Sequence, residues 1–188
     1  MAKAKTAASS ANSNGAAKSA KGDVHLNVQK TYKMYIGGKF PRTESGRSIS
    51  FNSPKGEFLA NICRGSRKDF RNSVQAARKA FGGWAGKTAF NRSQILYRIA
   101  EVLEGRRSQF VAELIAQGQT PAAAEKEVTA SIDRMVYYAG WCDKYQQVFS
   151  SVNPVSSSHF NFSMQEPTGV VSVFAPETPG LLGLISVV

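Results

Sequence analysis

The sequence predicts an α/β chain whose last βα unit is incomplete. Three observations carry this. Short apolar stretches flank a Gly-Gly and a Pro-x-Gly turn near residues 35–63, the signature of hairpins. Three long runs with helical spacing fill residues 66–141. Last, the apolar run Gly169–Ala175 is followed by an apolar helix-like stretch from Leu181 to Val188. A buried strand and then a helix is part of a βαβ unit, which needs another parallel strand beside it.

In chain order, Tyr35-Ile-Gly-Gly-Lys-Phe40 reads as a hairpin, because two glycines supply the positive φ of a primed turn. Ser48–Asn52 and Phe58–Cys63 read as a strand pair around Ser53-Pro54-Lys55-Gly56-Glu57. Ser66 with Asp69 is a capping-box start. Phe70, Val74, Ala77 and Phe81 then predict the buried face of a helix that Gly82-Gly83 ends, with Trp84 plugging the gap behind it. A second helix is expected from Phe90 to Leu103, with Ile95, Ile99 and Val102 on its apolar face. A break at Gly105-Arg106-Arg107 leads into Phe110, Leu114 and Ile115.

Thr120-Pro121 is an N-cap and first-turn pair for the third long helix. Its stripe is Ala124, Val128, Ile132, Met135 and Ala139. Val152–Ser158 reads as a polar connection and His159–Met164 as a strand. Val188 lies inside an apolar run with no capping signal, so the chain is expected to be a piece of a longer fold.

The chain has 188 residues, 24 Lys+Arg against 13 Asp+Glu, and a net charge of +11. Four of the lysines (Lys3, Lys5, Lys18, Lys21) precede the first acid, Asp23, in an Ala/Ser/Asn-rich stretch. Residues 1–30 are therefore expected to be a disordered basic tail. The remaining bases do not form a stripe. Arg67, Lys68, Arg71, Arg78 and Lys79 are assigned to the solvent side of the first helix, and no exposed aromatics interleave them as in a single-strand groove. Nucleic-acid binding is thus the least favoured reading. No stretch before residue 167 approaches a membrane span, and no apolar signal-peptide core is present, so a cytoplasmic, membrane-free protein is expected.

Candidate chemistry is sparse. Cys63 sits at a strand end beside Arg64, and Cys142 lies between Trp141 and Asp143, where burial and a carboxylate raise a thiol's pKa. Both read as small buried hydrophobes. His25 and His159 have no carboxylate at helical spacing, and no metal site is expected. Glu125 and Glu127 are two apart, do not share a face, and favour the positive end of their helix. After the Gly169–Ala175 run stands Pro176-Glu-Thr-Pro-Gly180, not a Gly-rich phosphate turn; proline offers no N–H to a pyrophosphate.

Taken in order, these pieces resemble the N-terminal portion of the aldehyde dehydrogenase superfamily. Tyr35–Phe40 looks like its opening hairpin, and Phe51-Asn-Ser-Pro-Lys-Gly-Glu57 like its Asn-Pro-x-x-Gly-Glu segment. Ala76–Trp84 looks like the Ala-x-x-Ala-Phe-x-x-Trp helix. Arg92-Ser-Gln-Ile-Leu96 and Ile99–Leu103 look like the helix after it. Tyr138-Ala-Gly-Trp141 closes a similar long helix, and Glu166-Pro-Thr-Gly-Val-Val171 resembles the entry to the first cofactor-domain strand. Each motif is weak alone; their shared order is specific.

The resemblance implies an aldehyde-dehydrogenase-like fold of hairpins, three long helices and the first strand of a Rossmann-like domain, left incomplete. Residues 31–165 would be the N-terminal part with an oligomerisation-type strand, and 166–188 the start of the cofactor unit. It further implies NAD or NADP as cofactor, an aldehyde substrate and a homo-oligomeric parent. The family's Cys nucleophile and Glu base come past Val188, so nothing catalytic falls on Cys63 or Cys142, and the chain alone is expected to be inactive and poorly soluble. Phe174, Ala175, Pro176 and Glu177 would line the cofactor cleft. Thr178 stands at the family's oxyanion-binding Asn, with a shorter reach and the charge of Glu177 beside it. The alternative reading is a non-catalytic remnant that acts as an interaction module.

Overall fold

A computed structural model describes residues 29–188. The expected basic tail falls almost wholly outside these residues, as does His25. At the N-terminal end, β2 (Ser48–Asn52) pairs antiparallel with β3 (Phe58–Cys63), from Ser48 opposite Cys63 to Asn52 opposite Phe58, with a bulge between Phe51 and Asn52. β1 (Thr31–Tyr32) adds to the other side of β3 in parallel, giving the order β1-β3-β2. The Tyr35–Phe40 hairpin forms as expected. Ile36 and Lys39 exchange both backbone hydrogen bonds (3.0 and 3.1 Å), and Gly37 and Gly38 have φ of 58° and 78°. Those values are what a two-residue primed turn requires.

Ser66 starts α1 (Arg67–Ala85) with a complete capping box. Its hydroxyl accepts the Asp69 N–H (3.2 Å), and the Asp69 carboxylate accepts the Ser66 N–H (2.8 Å). Ser66→Ala is expected to lower stability by about 1 kcal/mol, read as a lower urea midpoint with an unchanged slope. The helix does not stop at Gly82-Gly83. Both glycines stay helical, and Gly86 closes the helix with its N–H on the Gly82 carbonyl at 3.1 Å. Glycine inside a helix costs only about 1 kcal/mol, so two of them weaken the helix without ending it. Trp84 therefore belongs to α1 and is half exposed.

The expected buried face of α1 is not buried among the described residues. Phe70 is exposed, Phe81 lies at the edge of exposure, and only Asp69 is fully buried. The bases Arg67, Lys68, Arg71, Arg78 and Lys79 are exposed, but so is most of the helix.

Thr88 caps α2 (Ala89–Gly105) through the Asn91 N–H, and α3 (Arg107–Ala116) follows the Arg106 break. Here the sequence picked the wrong face. Ile95, Ile99 and Val102 are exposed, while Ala100 and Leu103 are buried and Leu96 is half-buried. Both stripes are apolar at helical spacing, and α2 packs on α4 through the second. α4 (Pro121–Ala139) begins on Thr120, whose hydroxyl accepts the Ala123 N–H (3.3 Å), with Pro121 in its first turn. Its expected stripe holds: Ala124, Val128 and Ala139 are buried, Ile132 and Met135 half-buried. The core joins Val111 and Leu114 of α3 to Ala124 and Val128 of α4, with Phe110, Ile132 and Leu181 packed against it.

Beyond α4, a turn carries Cys142 into the short α5 (Tyr145–Phe149), so Cys142 is not in a helix. The expected His159–Met164 strand narrows to β5 (Asn161–Ser163). It pairs antiparallel with β4 (Ser151–Asn153), which overlaps the segment read as a connection. The expected buried strand at Gly169–Ala175 does not form. No strand among the described residues lies beside it, its backbone has no ladder partner, and Val171 and Phe174 are exposed. α6 (Gly180–Val187) ends the described chain and packs on α4.

Candidate functional site

The residues expected to flank a cofactor, Phe174, Ala175, Pro176 and Glu177, form one exposed segment with Thr178; Phe174 is 91% accessible. The segment leads through Pro179 into α6. Pro179, at the helix N-cap, has no side chain able to accept a hydrogen bond, so the first-turn amides of α6 need partners from elsewhere. Glu127 of α4 supplies one. Its Oε1 accepts the N–H groups of Leu181 (2.8 Å) and Leu182 (3.2 Å), and its Oε2 accepts Gln119 Nε2 (2.6 Å). Negative charge at the start of a helix is stabilised by the helix dipole. At the other end, Tyr138 donates its hydroxyl to the Ser186 carbonyl at 3.1 Å. α6 is thus tied to α4 at both ends.

The loop is held from inside as well. Gly183, buried in α6, sits directly beneath Pro176. A Cβ on Gly183 would overlap Pro176 Cγ and stand 3.1 Å from its Cδ. On the sheet side of α6, a groove of about 750 Å³ runs between the sheet, α3 and α6, lined by Leu59, Leu114, Leu181 and Leu184. None of residues 174–178 lines it.

The sequence marks Glu127 only as a helix-dipole partner. Glu125 and Glu127 do take different faces, and Glu125 approaches Arg107 at 3.6 Å. The signal for Glu127's larger role was its position: it stands between Ala124 and Ser131, on the buried side of α4.

The two thiols belong to other segments. Cys63 ends β3 half-buried. Burial pushes the Cys142 thiol up, Arg92 opposes this and Asp143 adds to it. Its Sγ lies 3.6 Å from the Tyr138 carbonyl. His159 lies 2.9 Å from the Ser157 hydroxyl. No helix among the described residues is long and apolar enough to cross a membrane.

Hairpins, capped helices and a loop held onto α6 make up a mixed α/β arrangement. The model of the aldehyde dehydrogenase family matches residues 40–182. The chain belongs to the aldehyde dehydrogenase family.

Among its relatives is DhaS of Bacillus subtilis, which carries the name of an aldehyde dehydrogenase. It is 33% identical over 154 residues, covering 79% of this chain and 30% of DhaS. The cytosolic 10-formyltetrahydrofolate dehydrogenase of mouse is 29% identical over 157 residues, covering 80% of this chain and 17% of that protein. The structure of an aldehyde dehydrogenase from Bacillus cereus superimposes with a TM-score of 0.66 at 28% identity, over 71% of this chain and 28% of the other. The chain therefore spans less than a third of these relatives.

Proposed function

We propose that the chain is the N-terminal part of an NAD(P)-dependent aldehyde dehydrogenase that oxidises an aldehyde to a carboxylic acid. Residues 31–165 form its N-terminal hairpins, helices and association strand, and residues 166–188 begin its cofactor-binding unit. The parent is a cytoplasmic homo-oligomer. The observation that carries the reading is the Phe174–Thr178 segment, presented openly on a helix tied to α4, in a chain of this family. Solved relatives include an NAD-dependent aldehyde dehydrogenase from Sinorhizobium meliloti and a protein in complex with nicotinamide adenine dinucleotide.

The exposed segment of residues 174–177 fits the flank of a flat ligand. It does not fit a pyrophosphate grip, because Pro176 and Pro179 lack N–H groups. A nicotinamide cofactor supplies the hydride acceptor in this chemistry. The residues in hand shape one wall of the cleft. Thr178 can offer a hydroxyl where an oxyanion develops, a contact worth about 2.7–4 kcal/mol when preorganised, but its reach is short and Glu177 opposes the charge.

The 188-residue chain alone is inactive in this reading. Burial raises the Cys142 pKa, which disfavours the thiolate a nucleophile needs. Purified chain with NAD or NADP and an aldehyde is expected to form no NAD(P)H above a heat-killed control; turnover would overturn this. The family role is tested in a chimera in which residues 40–182 replace the matching part of DhaS. It should oxidise aldehydes with NAD(P), and Thr178→Asn should raise kcat by about 10²-fold. A folded chimera that stays inert with Asn at 178 sinks the reading. That result would favour the second reading, a non-catalytic interaction module, which the exposed Phe70 of α1, Phe162 of β5 and Phe160 just before β5 support.

A further inference from the structure

Glu127 is one of two buried carboxylates among the described residues; the other, Asp69, belongs to the α1 cap. Three N–H donors meet it: those of Leu181 and Leu182, and the side-chain amide of Gln119. Two of the three come from the helix that begins directly after Thr178 and Pro179. Pro176, on the near side of Thr178, is seated on Gly183 of that same helix. Both ends of the Pro176–Pro179 turn are therefore referred to α6, and the start of α6 is referred to one carboxylate on α4.

We propose that Glu127 is a positioning residue. Acting through the first-turn amides of α6, its carboxylate fixes the Pro176–Pro179 turn, and with it Thr178, against the helical core. The role of Thr178 rests on the proposed function above; the hold of Glu127 on the loop rests on these hydrogen bonds alone. A buried carboxylate that only filled space would be replaceable by leucine, which has similar volume and no acceptor. One that acts as an acceptor would be replaceable by glutamine, which keeps an oxygen for the two amides.

The test is hydrogen exchange on the 188-residue chain, comparing wild type, Glu127→Leu and Glu127→Gln. Loss of a buried, charge-assisted acceptor is expected to speed exchange of the α6 amides and of the Glu177 and Thr178 amides by about tenfold or more in E127L. E127Q should stay within about threefold of wild type. The amides of Ser48–Cys63 should not change in either variant. The proposal is overturned if E127L leaves segment 174–187 unchanged, if it speeds exchange equally in Ser48–Cys63, or if E127Q exchanges as fast as E127L. None of these readouts uses a cofactor or an aldehyde. A failure here leaves the chimera result standing, and an inert chimera leaves this clamp standing.

Discussion

Replacing Gly118 with alanine is expected to destabilise the chain by about 2–4 kcal/mol, the sum of a backbone and a packing cost. Gly118 links α3 to α4 with φ of +101°, a conformation that L side chains rarely adopt. Its N–H bonds to the Ile115 carbonyl (2.9 Å), and the next amide, Gln119, reaches back to Leu114 (3.2 Å), which closes α3. A Cβ here would also stand 2.7 Å from Pro54 Cγ and 3.1 Å from Cδ. Pro54 cannot rotate aside. Its ring is rigid, and its turn is fixed by the Ser53–Glu57 backbone bond (2.8 Å) and by the Ser53 hydroxyl accepting the Glu57 N–H (3.2 Å).

Gly118 is thus where the β2–β3 turn touches the helical core. Urea unfolding of G118A should show a lower midpoint with an unchanged slope. Adding Pro54→Ala should restore the steric part and leave the backbone part. A G118A chain within about 0.5 kcal/mol of wild type would show that the contact is not made, since that is the range of neutral surface changes.

What the sequence revealed follows from the range over which each signal acts. The Ser66–Asp69 box, the Thr120-Pro121 start and the Gly37-Gly38 turn are local, and each formed where its residues stand. β1 escaped notice because Thr31 and Tyr32 pair with Asn61 and Ile62, and nothing near residue 31 announces a partner so far along the chain. Ser151–Asn153 likewise becomes a strand only because Asn161–Ser163 folds onto it.

In α2, periodicity was ambiguous rather than absent. Ile95, Ile99 and Val102 match a helical face as well as Leu96, Ala100 and Leu103 do, and contact with α4 decides between them. Gly169–Ala175 has a buried strand's composition, but a strand also needs a neighbour. For the candidate site, Phe174–Thr178 could be named from resemblance. Its anchor could not, because Glu127 lies more than fifty residues before the amides it holds, and only folding brings them together.

Asp69 carries the other large effect. Its carboxylate accepts the Thr43 hydroxyl (2.6 Å), the Ser66 N–H (2.8 Å) and the Glu44 N–H (3.3 Å). It therefore caps α1 and ties that helix to the loop after the first hairpin. The Thr43 hydroxyl, then the Ser66 amide, hold its pKa at about 2 against an ordinary 3.8. A carboxyl that is more acidic folded than unfolded adds stability above its unfolded pKa. That stability drains away as pH falls through the folded value.

Thermal melts of the wild type should fall between pH 4 and pH 2 for this reason. Asp69→Asn should start lower at pH 7, by more than Ser66→Ala, because three donors lose a charged partner rather than one donor losing a hydroxyl. Its melting temperature should then be flatter across the same window, so that the two curves converge near pH 2. If D69N keeps the wild-type slope there, another group is titrating. Thr43→Val gives the finer check. It removes the largest cause of the low pKa and leaves the two backbone donors, so the acid-induced loss of stability should be smaller and end at a higher pH while the α1 cap still forms.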